Sequence, residues 1–320
     1  MSGRLDSPAG RVLLVNLVLI ALFTVASEDY VFMSVSNAQN IAVNATQAAL
    51  LATALAILLG AGELDLSLGA NLVLSSVAGA SVAAELDSVA AAAVLGLGAC
   101  VGTGVALGVL NGVVVAYVGV NSLIATLGTL GIAQGTALLV TGGADIGNLP
   151  LGLQDHFGLA TVAGIPVPAL VAGIVAAIAW AAMRYTRFGV HTLAAGSSRG
   201  AAVRRGLRVE RHVLALFAIA GGLCGIAGFI DIARFASTTV AGHQLDALAA
   251  ITAVVIGGGA LAGGRVSIPG AVLGALLIVI LQVGLVVVGL DPFWQLIAVG
   301  AVLIAAVTLE RVETVRRAHA

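Results

Sequence analysis

The residues able to do chemistry are few, and their types exclude more than they allow. All 14 basic residues are arginine and lysine is absent, so there is no P-loop with its phosphate-reaching lysine, and ATP hydrolysis by that route is excluded. His156, His191, His212, His243 and His319 are scattered without metal-ligand spacing, so no metal site is expected. No sequence pattern marks an intramembrane His/Asp cluster of the kind a membrane hydrolase needs. No catalytic residue and no cofactor can be assigned, and the chain is not expected to be an enzyme.

What remains is polar chemistry in apolar surroundings. Glu63 and Asp65 lie nearest the interior of an apolar run, where an acid either couples protons or, as Asp65 with Ser67 nearby suggests, caps a starting helix. Asn44, Gln47, Asn71, Asn111, Gln134, Gln282, Trp294 and Gln295 are neutral donors or acceptors within apolar runs. Each can serve as interhelical glue or line a path for a neutral polar solute.

Charge is segregated along the chain. Arg184, Arg187, Arg199, Arg204, Arg205, Arg208 and Arg211 fall in one short stretch, the mark of a loop held in the cytosol. Ser197 and Ser198 are placed to cap a short helix through Arg199 to Arg205, and Gly206 to end it in a left-handed turn. Ala201 and Ala202 between the arginines favour docking into a groove of a soluble partner; the plain alternatives are topology retention and attraction to anionic lipid.

The elements that must position these groups are membrane helices. With 60% hydrophobic and 9% charged residues and a mean hydropathy of +1.13, lipid has to be the solvent for most of the chain. The apolar runs do not alternate as barrel strands would. They predict an all-α polytopic fold with spans near 12–27, 41–60, 64–84, 88–118, 122–140, 162–183, 212–233, 247–262, 266–290 and 293–309. The fourth run is long enough to require a tilt, a break or emergence from the bilayer. Residues 1–320 are expected to form one transmembrane domain with a cytosolic loop at about 184–211 and both termini cytosolic, the opposite loops carrying acids that include Asp231. Cys100 and Cys224 sit in apolar runs and are expected to be buried free thiols.

Two glycine-rich breaks precede similar sequences: GELDLSLGANLVL from Gly62 and GGRVSIPGAVL from Gly263, pairing Ser67 with Ser267. Gly62, Asp65, Ser67, Gly69, Gly257, Gly258, Gly263 and Gly264 are thus candidate helix-break or gate residues, in a possible parallel repeat whose irregular backbone lines a cavity.

Four segments, GELDLSLGA (62–70), NSLIATLGTLGIAQG (121–135) with TGG (141–143), ITAVVIGGGALAGG (251–264) and DPFWQ (291–295), resemble in order and spacing the permease subunits of ABC importers for simple sugars. The resemblance implies a second permease subunit, a cytosolic ABC ATPase, a periplasmic or lipid-anchored solute-binding protein and a small polar solute, with no nucleic acid and a bacterial inner membrane as location. It implies that Arg199, Ala201, Ala202, Arg204, Arg205, Gly206 and Arg208 contact the ATPase. Glu63 stands where the family usually has glycine, Gln134 replaces an arginine, and Leu245–Asp246 is displaced by about one helical turn, which leaves the solute open among sugars, polyols and nucleosides. The rival readings are a permease for branched-chain amino acids or nucleosides and a proton-coupled secondary transporter.

Overall fold

The computed structural model describes residues 7–291 and 293–318. Arg4, Pro292 and His319 lie outside them, as do the side chains of Arg311, Arg316 and Arg317. The chain runs α1 (Pro8–Ala26), α2 (Val35–Gly60), α3 (Leu68–Ala83), α4 (Val89–Val113, continued as a π-turn over Val114–Val118), α5 (Ser122–Thr141), a two-stranded hairpin of β1 (Thr161–Val162) and β2 (Ile165–Pro166), α6 (Val167–Tyr185), α7 (Arg187–Ser197), α8 (Arg199–Arg204), α9 (Val209–Phe235), α10 (Asp246–Ile256), α11 (Ile268–Val287) and α12 (Phe293–Ala318). Among the described residues seven helices are long and apolar enough to cross a membrane. The protein is an all-α polytopic membrane protein.

Two expected spans are shorter than a crossing. α3 has 16 residues and α10 has 11; at about 1.5 Å per residue neither covers a hydrocarbon core of about 30 Å. Residues 64–67 and 257–262, expected inside spans, belong instead to the breaks at 61–67 and 257–267. The fourth run stays continuous from Val89 to Val118 and ends at Gly119 in the left-handed region.

Glycine sets the central packing. A Cβ at Gly104 or Gly108 on α4 would strike the carbonyl oxygens of Gly221 and Phe217 on α9, so the two backbones touch along their length. Around this pair α2, α3 and α11 bury Leu50, Leu51, Leu55, Leu72, Phe217 and Ile278. α1, α5 and α6 leave apolar side chains such as Leu14, Leu17, Ile124, Leu139, Ile174 and Ile178 exposed, as lipid-facing helices do. Cys100 and Cys224 are buried and unbridged.

The breaks, the arginine stretch and the start of α1 share one face, called here the arginine face. Pro8 packs on Gly258, and Gly196 of α7 meets Gly60, Ala61 and Gly264. α3 and α11 both begin just after these breaks, from Ser67 and Ser267.

Candidate functional site

Two polar constructions stand out, one on the arginine face and one within the helices. On the arginine face, Ser198 accepts the Ala201 N–H at 3.4 Å to start α8, and Gly206 follows the helix at φ +84°. Arg199, Arg204, Arg205, Gly206 and Arg208 are exposed. Ala202 is 7% exposed, so of the two alanines expected to face a partner it is the one turned inward. His191, Arg205, Arg208, Arg211 and His212 border an open cavity of about 860 Å³ between α7, α8 and α9.

This face is joined directly to both breaks. The Gly264 N–H donates to the Gly60 carbonyl at 3.1 Å. Gly62, Gly263 and Gly264 all have positive φ, at 78°, 86° and 75°, a region open to glycine at little cost. Gly196 fits between them with room for hydrogen alone. Arg199 Nη1 reaches Glu63 Oε1 at 3.4 Å. The first turns of α5 satisfy the break's amides, Ser122 Oγ accepting from Leu64 N–H at 3.2 Å and Thr126 Oγ1 from Leu66 N–H at 3.1 Å. Irregular backbone at membrane depth needs such partners.

Asp65 Oδ1 accepts from the Ser67 amide at 2.8 Å and from Ser67 Oγ at 2.6 Å, and Asn111 Nδ2 donates to Ser67 Oγ at 3.0 Å. The carboxylate is engaged by the turn that precedes α3, at whose N-cap, Ser67, no side chain accepts a helix amide. Asn71 donates to the Gly104 carbonyl and Gln134 to that of Val240. These amides, with Asn111, act as glue between elements. Trp294 is 52% exposed and is not among the residues lining the cavity described next.

The second construction is a cavity of about 250 Å³ between α2, α10, α11 and α12, lined by Asn44, Gln47, His243, Asp246, Gln282 and Gln295 among apolar residues. Four of the candidate path residues, Asn44, Gln47, Gln282 and Gln295, meet here. Beside them is a His/Asp cluster where none was expected. Asp231, expected in a loop, lies in α9 and is fully buried. Its Oδ1 accepts from Gln47 Nε2 at 2.7 Å and faces His243 Nε2 at 3.3 Å, while Oδ2 accepts from Thr239 Oγ1 at 2.7 Å. His243 Nδ1 lies 2.7 Å from Asp246 Oδ2. Both ring nitrogens face carboxylates, the arrangement of an imidazolium donating twice. Arg234 Nη1 donates to Asn44 Oδ1 at 3.0 Å. His243 has φ +62°, which folds the α9–α10 loop back onto α9, and its carbonyl packs on Gly69. One signal was present in the sequence: His243 and Asp246 are three apart at a helix start.

Half-span helices, breaks stitched by neighbouring hydroxyls and a polar cavity among apolar walls define a membrane permease. The chain belongs to the family described as branched-chain amino acid transport system / permease component, whose model matches residues 37–307. It is similar to the ribose import permease protein of Escherichia coli K12, 31% identical over 309 residues that cover 93% of this chain and 92% of that protein. The D-allose transport system permease protein of the same strain is 32% identical over 304 residues, 92% of this chain and 89% of the relative. The ribose import permease protein of Bacillus subtilis 168 is 36% identical over 252 residues, covering 78% and 77%. No solved structure matches the chain.

Proposed function

We propose that this chain is the membrane-spanning subunit of an ATP-binding-cassette importer that carries a sugar or similar polyhydroxylated neutral solute into the cytoplasm. It works in a bacterial inner membrane with the arginine face and both termini cytosolic. It pairs with a second permease subunit, receives solute from a binding protein outside, and rests on a separate ATPase that contacts Arg199, Ala201, Arg204, Arg205, Gly206 and Arg208. The relatives named for ribose and allose favour a sugar.

The observation that carries the reading is the seat of Gly196 against Gly60, Ala61 and Gly264. A force applied to α8 passes through α7 to both breaks. From the first break it continues through Gly69 to the His243 loop at the cavity. ATP binding to the partner then favours one arrangement of the breaks and hydrolysis restores the other. Moving a population from 1:99 to 99:1 takes about 5.5 kcal/mol of differential affinity.

The test is Arg204→Glu with Arg205→Glu in the assembled importer. Both residues are exposed, so the variant is expected to reach the membrane at the normal level and lose uptake. Normal uptake overturns the coupling role. Collapse of the proton gradient with ATP preserved separates the secondary-transporter reading, which predicts that uptake stops.

A further inference from the structure

The cavity offers a solute more than neutral amides. Asp231 has both oxygens engaged, by Gln47, Thr239 and His243, and is fully buried. Asp246 is different. Its Oδ2 is held by His243 at 2.7 Å, yet its side chain is 34% exposed and lines the cavity. An ionisable group at membrane depth is costly to keep, and here three residues from α9, the following loop and α10 are arranged to hold one carboxylate at a cavity wall. In the same lining Gln282 of α11 and Gln295 of α12 supply neutral donors and acceptors. The volume of about 250 Å³ falls just below the roughly 300–1,000 Å³ of typical small-molecule sites, which suits a monosaccharide-sized occupant.

Resting on the sugar reading, we infer that Asp246, positioned by His243 and through it by Asp231, is a specificity-determining residue that accepts hydrogen bonds from hydroxyl groups of the solute in the cavity. A hydroxyl-to-carboxylate bond is charge-assisted and about twice as strong as a neutral one. The carboxylate therefore selects solutes with several hydroxyls over anions and over solutes that lack donors. His243 and Asp231 are positioning residues, because they act through Asp246.

The test places a cysteine at Ala249, on the cavity wall, in the assembled importer; the native Cys100 and Cys224 are buried. Maleimide labelling of Ala249→Cys is followed against D-ribose, D-allose, D-xylose and D-fructose, and uptake of the same sugars is measured in parallel. The sugar that is taken up is expected to protect the cysteine. Asp246→Asn is expected to raise the half-protecting concentration about tenfold while leaving the unprotected labelling rate unchanged, a combination that a collapsed cavity does not give. His243→Gln, which keeps the carboxylate but removes its clamp, is expected to move the midpoint in the same direction. Protection with an unchanged midpoint in both variants overturns the inference alone. So does uptake without protection, since the path then bypasses the cavity. No uptake of any of the four sugars by the wild-type importer overturns the sugar reading and the inference with it.

Discussion

Replacing Gly196 by alanine places one methyl group where the coupling loop meets both breaks. Its Cβ would lie 2.6 Å from the Gly264 nitrogen and 2.9 Å from the Ala61 carbonyl carbon, where ordinary contact begins at 3.4 Å. The Gly60 carbonyl oxygen lies closer still, and as all three neighbours are backbone no side chain can turn away; α7 must retreat by roughly 1 Å, an overpacking that costs about 1–3 kcal/mol. If that cost falls on the coupled arrangement, its population drops by about 5- to 150-fold. The assay is sugar uptake and ATP hydrolysis measured together in proteoliposomes holding the assembled importer. Gly196→Ala is expected to keep hydrolysis and lower sugar carried per ATP at least fivefold. Gly200→Ala is the control: it lies in the same loop, and its nearest neighbour is the end of the flexible Arg204 side chain at 3.4 Å, so it should behave as wild type. Wild-type stoichiometry in Gly196→Ala, with the protein present at normal level, refutes the mechanical route.

Other expectations follow from the same geometry. Gly108→Ala drives a methyl into the Phe217 carbonyl of α9, whereas Gly98 faces open space; thermal unfolding in detergent should show Gly108→Ala destabilised by about 1–3 kcal/mol and Gly98→Ala unchanged or slightly stabilised. The Arg199–Glu63 pair has an arginine side chain that is 45% exposed, so Arg199→Ala should cost less than about 1 kcal/mol in the same assay. Asp65→Ala leaves the Ser67 amide and hydroxyl without their acceptor, and a loss of about 1–3 kcal/mol is expected; an unchanged midpoint would mean the α3 start does not depend on that turn.

Local features were legible in the sequence because local chemistry decides them. The Ser198 cap and the left-handed Gly206 bound α8 as the residue types require, and the glycine runs mark both breaks. The apolar character of the helices followed from hydropathy, but of the ten expected spans seven helices among the described residues are long and apolar enough to cross a membrane; the length of α3 was hidden because Leu64 and Leu66 are as apolar as helical residues and Ser122 and Thr126, far along the chain, hold their amides in irregular backbone. The roles of the amides were equally hidden. Asn71 and Gln134 are spent on the Gly104 and Val240 carbonyls, whereas Gln47 reaches Asp231, and composition does not tell these fates apart. The His/Asp cluster escaped because Asp231 sits near enough to a span end to be read as a loop acid. Positive φ at Ala236 and His243 then turns the chain back to bring His243 onto it.

The central claim is that this chain is a gate moved by a separate nucleotide-driven engine gripping its arginine face. Purified permease, with and without its ATPase, should be reconstituted with binding protein, ATP and labelled sugar, and the internal sugar concentration followed. Accumulation above the external level only when the ATPase is present is the predicted result. Concentrative uptake by the permease without the ATPase would contradict the account.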